Sequence, residues 1–422
     1  MSAIDQLLDP VALPKLAPVR QRFDRPRLVD VEGEISRLMA AGGYLSTMKK
    51  GGSVAITAGS RGIVNMPVIL RALVREVRKA GCEPFVFPAM GSHGGATAEG
   101  QAELLQGMGI DEKSVEAPIR SSMETVRIGE TEGGLPVYMD AYADKADALI
   151  VVNRVKPHVA YSGAYESGLM KMLAIGVGKQ LGADFCHRMG FGRMAENVPA
   201  IAKMTIARKN VVCAVAVLEN AFHETARIEF MRGTDIERRE PELLREASLL
   251  TPRLFFDQLD VRILDEIGKD IAGTGFDTSV VGRYHTPFRT GGPQITRILT
   301  LDLTEASHGN ANGVGILDFT TRRLYEKFSP EHTYPNSLTS TVPQSVKMPM
   351  ALKNDRQAIQ AAVKTCNVED RDAVRLVRVK NTVELENIWV SESLTSYCER
   401  HPNLELLGPA APFAFDGDGN LL

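Results

Sequence analysis

The chain has 422 residues, 44% hydrophobic and 24% charged, and its 49 Lys and Arg against 52 Asp and Glu leave a formal net charge of −3. This composition excludes a disordered tail, a collagen-like fibre and a coiled coil, and the near balance of charge excludes a basic field for nucleic acid or an anionic membrane. Five scattered cysteines (Cys82, Cys186, Cys213, Cys366, Cys398) form no C-x-x-C pair and read as reduced thiols. With no basic, apolar leader and no apolar run of about 18 residues, the expectation is a cytoplasmic protein that does not span a membrane.

In chain order, Ser53–Thr57 (SVAIT) reads as a buried strand followed by the Gly-rich turn AGSRG. Met66–Ala80 carries apolar residues at helical spacing and stops at Gly81. Pro84–Pro88 is a second strand, running into the loop AMGSHGGAT, with a helix over Thr97–Gly107. A hairpin near Gly133–Met139, a buried strand Ala148–Asn153 and a long loop lead to a helix starting near Leu169. Val211–Leu218 is the most apolar run and predicts a central strand, and Leu259–Ile267 predicts another. Gly268–Gly292, rich in Gly, Thr and Asp, suits a hinge; beyond it Arg297–Leu303 and Val374–Val379 predict strands and Arg356–Cys366 a helix.

The strand–loop–helix rhythm predicts an α/β fold of two lobes. The N-terminal lobe (1–265) has a mostly parallel sheet of βαβ units, the smaller α/β lobe spans 266–422, and a cleft lies between them. Ligands of such sheets gather at the carboxyl ends of the strands.

Four loops carry candidate chemistry. Gly59-Ser60-Arg61-Gly62 pairs glycines, which let backbone N–H groups approach an anion, with an arginine fork; a plain turn with a surface arginine is the alternative. In Gly91-Ser92-His93-Gly94-Gly95 little bulk surrounds the imidazole, which favours a position facing a cleft over a core role or an ordinary loop histidine. The third runs from Lys156-Pro157-His158 to Cys186-His187 and includes Lys171 inside the apolar GLMKMLAIGVG. A lysine there either snorkels to solvent or is buried with a depressed pKa, the state suited to a nucleophile or covalent tether. The fourth, around GKD, GTGFD and SHGNANG, is a functional loop or a cluster of turns. His93, His158 and His187 lack the i, i+4 spacing of a helical metal pair, so only the fold can bring them together.

GSHGGAT, KPH…GLMK and the histidine sixteen positions after the lysine resemble the nickel-pincer lactate racemase family, in particular its less characterised branch, over most of the chain. The resemblance implies an isomerase whose cofactor is a nickel-pincer nucleotide, supplied by dedicated synthesis enzymes. It implies Lys171 as the thioamide tether, His187 as the nickel ligand, and His93 and His158 as the two proton-transfer groups. Gly59, Ser60 and Arg61 would hold an anionic group of cofactor or substrate, with Lys269 and His285 on the substrate side of the second lobe. The implied substrate is a small 2-hydroxy acid. Its Cα proton is hard to abstract, whereas hydride removal with deprotonation of the hydroxyl gives a planar keto acid reducible from either face.

Ala58 stands where characterised members carry an acidic residue, and thirteen positions separate His158 from Lys171. These departures leave lactate, a larger hydroxy acid and a sugar acid open, as well as racemase against epimerase. Two other readings accompany this one: a zinc-dependent hydrolase using His93, His158 and His187, and a non-catalytic nucleotide- or metabolite-binding protein.

Overall fold

The computed structural model describes residues 2–60 and 62–422. The chain forms two compact units, Arg25–Thr251 and a discontinuous one made of Met1–Asp24 with Pro252–Leu422. The division falls at 251/252, against the 265/266 expected from sequence, because the strand Gln258–Ile267 runs through the expected boundary. Strand β1 (Leu16–Gln21) belongs to the discontinuous unit.

In the unit Arg25–Thr251, β2 (Ser53–Ala58), β3 (Glu83–Pro88), a separate hairpin of β4 (Thr125–Glu130) and β5 (Pro136–Asp140), β6 (Ala148–Arg154), β7 (Val211–Glu219) and β8 (Thr225–Met231) follow in sequence. The main sheet has the order β3-β2-β6-β7-β8, parallel except for β8. Every residue of β7 from Val211 to Leu218 is buried, as expected of a strand with neighbours on both edges and layers on both faces. The helix Met66–Lys79 turns Met66, Ile69, Leu70, Leu73, Val74 and Val77 into the core, an apolar stripe of helical period. The hairpin is longer than expected, spanning Thr125–Asp140.

The discontinuous unit adds β9 (Gln258–Ile267), β10 (Gln294–Leu303), β11 (Phe319–Thr321), β12 (Met350–Leu352), β13 (Leu376–Val379), β14 (Asn387–Ser391) and β15 (Leu404–Leu406), in the order β12-β11-β10-β9-β13-β14-β1-β15. The five strands β12 to β13 are mutually parallel, and β14, β1 and β15 complete the sheet antiparallel. Val261, Ile263, Leu299 and Leu301 pack with the helix Asp355–Thr365 on one face, while Leu264 and Ile298 join a second apolar layer. The expected hinge, 268–292, lies wholly inside this unit. Parallel pairing of β9 with β10, from Gln294↔Gln258 to Leu303↔Ile267, puts the loops after both strands at one edge, where Ser307 Oγ accepts the Lys269 N–H at 2.7 Å. All five cysteines are free and buried. Among the described residues no helix is long and apolar enough to cross a membrane.

Candidate functional site

Strands β2, β3, β6 and β7 run parallel, so the loops after Ala58, Pro88, Arg154 and Glu219 emerge at one carboxyl edge of the sheet. Gly59 and Ser60, His93, His158 and also His223 lie on those loops. Arg61 lies outside the described residues.

The stretch expected as one helix from Leu169 is broken. A helical turn, Leu169–Lys171, passes into a π-helical stretch, Met172–Gly176, and a new helix runs over Lys179–His187. The Val177 N–H reaches back five residues to the Met172 carbonyl at 3.0 Å; such π-turns concentrate at functional sites. The segment crosses the carboxyl edge closely. A Cβ at Gly176 would stand 2.7 Å from the Ala89 carbonyl, and one at Gly59 would stand 3.2 Å from Met172 Cε. Its start is held from a distance by Glu240, on the helix Ile236–Leu250, whose Oε2 accepts the Met170 N–H at 2.8 Å. Gly168 leaves room for that carboxylate: a Cβ there would lie 2.2 Å from Glu240 Oε1. Burial pushes the Glu240 carboxyl up to about 7.

The half-buried Lys171 ammonium is an electrostatic neighbour of both Cys186 and His187. Burial first, and that ammonium second, push the His187 imidazole down to about 4, so the ring is neutral near pH 7. His187 Nδ1 is sealed from solvent and has no hydrogen-bond partner among the described residues. Burial pushes the Cys186 thiol up to about 12, so it remains protonated beside His187.

His158 sits on a loop closed by the bridge Lys156↔Ser167, and its amide donates to Glu166 Oε2 at 2.6 Å. The ring lies 4.5 Å from Tyr161 and 6.0 Å from Phe191, and His187 meets the same Phe191 edge-on at 5.6 Å. Phe191 thus carries both imidazoles on one aromatic wall. Tyr161 is fixed in turn by its hydroxyl, which donates to the Glu166 carbonyl at 2.9 Å.

Hydrogen bonds assign opposite tautomers to His158 and His93. His158 Nδ1 accepts the Ala160 N–H at 3.1 Å, so in the neutral ring the proton sits on Nε2. The exposed His93 pairs its Nδ1 with the Met90 carbonyl at 2.7 Å. A carbonyl only accepts, so Nδ1 carries the hydrogen and Nε2 is the basic nitrogen.

In the other unit, Lys269 follows β9, and its Nζ donates to the Gly273 carbonyl and Asn336 Oδ1 at 2.9 and 2.8 Å. His285 is buried, its carbonyl accepts from Gln344, and burial pushes its imidazole down to about 4. Among the described residues no three His, Cys, Asp or Glu side chains form a metal-ligating cluster.

Two groups escaped the sequence reading. Glu240 is a single carboxylate on an amphipathic helix, and nothing local marks it as a cap for a segment seventy residues earlier. Lys179, and not Lys171, is the fully buried lysine; its place between two apolar stretches, GVGKQLGA, was the available signal.

These observations define an α/β protein of two units whose polar groups gather at the carboxyl edge of a parallel sheet. Residues 31–196 match the family model described as the lactate racemase N-terminal domain. The lactate racemase apoprotein of Thermoanaerobacterium thermosaccharolyticum shares the fold, with a TM-score of 0.52 at 13% identity, over 87% of this chain and 94% of that one. No curated protein matches the chain. The resemblance read from the motifs and the α/β fold class both stand.

Proposed function

We propose that the chain is a racemase or epimerase of a 2-hydroxy acid, and that it works with a nickel-pincer nucleotide tethered through Lys171 and ligated by His187. The observation that supports this reading is the His187 Nδ1, sealed from solvent with no hydrogen-bond partner among the described residues on a neutral imidazole that feels the Lys171 ammonium. A metal-ligating imidazole has to be neutral, and a buried nitrogen without a partner is costly unless something binds it. The donor set fits the group: one imidazole with a lysine amine in its electrostatic neighbourhood, next to a thiol that stays protonated. When bound, the nucleotide would supply an electron-poor ring able to exchange a Cα hydrogen together with its electron pair.

The remaining work belongs to the chain. His93 Nε2 takes the hydroxyl proton from one enantiomer, and His158, charged to an imidazolium once Nδ1 releases the Ala160 N–H, returns a proton from Nε2 to the keto oxygen that becomes the other enantiomer's hydroxyl. The two roles exchange for the reverse direction. Gly59, just past the carboxyl end of β2, lies against Met172, the residue after the tether, and backbone N–H groups of the Gly59-Ser60 turn suit an anionic group.

Production of the protein together with the cofactor-synthesis enzymes, followed by intact-mass and peptide analysis, tests the reading. A mass adduct on the Lys171 peptide, lost in Lys171→Ala, is expected, and chiral chromatography of a hydroxy-acid panel should show interconversion by the loaded protein. An unmodified Lys171 under these conditions overturns it.

A further inference from the structure

The structure assigns Lys179 a role of its own: we propose that it is a positioning residue for His93, acting through the side-chain amide of Gln101. The proposal rests on His93 being a proton-transfer group.

Lys179 is fully buried and has a φ of +55°, a backbone conformation in which glycine would avoid strain. A lysine in that place combines a strained backbone with a desolvated charge, so its side chain must do something a glycine could not. Its Nζ donates to the Pro88 carbonyl at 2.6 Å and to Gln101 Oε1 at 2.9 Å, and lies 3.3 Å from Asp140 Oδ2. Asp140 Oδ1 already accepts the Tyr142 and Ala143 N–H groups. Three oxygens therefore face an ammonium with three hydrogens, and the amine has no lone pair left for nucleophilic work.

The consequence lies one bond further on. An ammonium can only donate, so it fixes which end of the Gln101 amide faces it. The opposite end, Nε2, then donates to the Gly91 carbonyl at 2.9 Å and to the His93 carbonyl at 3.1 Å. Gln101 is itself fully buried, and both of its amide hydrogens are used. The tie spans the loop whose Met90 carbonyl selects the His93 tautomer. Lys179 also begins the helix that ends at His187. One buried charge thus links the backbone of the His93 loop to the segment bearing Lys171 and His187.

The test uses the full-length chain with ¹⁵N-labelled histidine, the His93 ring being assigned by comparison with His93→Gln. The parent protein is expected to show one tautomer with hydrogen on Nδ1. Gln101→Glu keeps the shape and the acceptor for Lys179 but cannot donate to the two carbonyls. It should convert His93 to a tautomer mixture and shift its titration midpoint, and it should also lower thermal stability, because a carboxyl oxygen then faces two carbonyl oxygens. Gln101→Leu and Lys179→Met should do the same to the ring. Should Lys179→Met fail to fold, the Gln101 variants decide. Unchanged His93 ring signals in folded Gln101→Glu and Gln101→Leu overturn the proposal, since a purely structural network would move stability alone. In cofactor-loaded protein kcat should fall about tenfold or more, the scale of a small misplacement of a catalytic group, with KM nearly constant. If the loaded parent has no racemase activity, the functional reading fails while the ring measurement still decides the role of Lys179.

Discussion

Replacing Glu240 by glutamine tests how the segment bearing Lys171 is held. Glu240 is 1% exposed, its Oε2 caps the Met170 amide, and its Oε1 has no hydrogen-bond partner among the described residues. Burial raises the carboxyl from 4.5 to about 7. Because the folded protein holds this proton more tightly than the unfolded chain does, the stabilisation is complete below the ordinary carboxyl range and is lost as pH rises through about 7. A gap of about 2.5 pH units corresponds to about 3 kcal/mol in full, of which about 2.5 kcal/mol falls between pH 5 and pH 8. Glutamine keeps the acceptor oxygen and the shape but has no proton to lose. Amide hydrogen exchange of peptides covering 168–176 reads the local opening, and comparing the two proteins at equal pH cancels the intrinsic exchange rate. Protection of the glutamine variant relative to the parent should rise by roughly 50- to 100-fold from pH 5 to pH 8, following that free-energy difference. A ratio that is the same at both pH values refutes the placement of a titrating carboxyl at this cap.

Gly168→Ala puts a Cβ 2.2 Å from Glu240 Oε1 and should cost about 2 kcal/mol or more by overpacking. The same change should cost much less when introduced into Glu240→Ala, as read by urea unfolding of both pairs, and a single variant as stable as the parent would contradict the close approach. Phe191→Ala removes the ring shared by His158 and His187 and should cost about 3 kcal/mol, whereas Phe191→Leu should keep most of the stability in the same assay. Asp140→Asn leaves the buried Lys179 without its counter-charge and should destabilise by about 3–5 kcal/mol. Glu384→Gln, which breaks the exposed pair with Lys380, should change stability by less than about 1 kcal/mol. Equal effects of these two substitutions would show that burial does not set the value of the ion pair.

Much of this protein is written locally. The apolar runs at Ser53, Pro84, Ala148, Val211 and Leu259 are strands because short β-branched and apolar stretches between turn residues bury on two faces. The loops after β2, β3 and β6 lie together because the strand–helix alternation compels parallel pairing. The sequence by itself therefore placed Gly59, Ser60, His93 and His158 at strand ends and gave Lys171 and His187 a fixed separation. Periodicity, however, records that a residue is buried and not what it is buried against. Only the tertiary structure joined β1 to β14 and β15 across nearly the whole chain, and so carried the first 24 residues into the unit that the C-terminal part completes. It turned the expected hinge into loops at the edge of one sheet. It also decided which of two lysines eight positions apart is enclosed, because the three oxygens that satisfy Lys179 come from residues 39 to 91 positions away in the chain. An isolated stretch of sequence cannot show the partners that make a buried charge tolerable, since those partners meet it only after the sheet has formed.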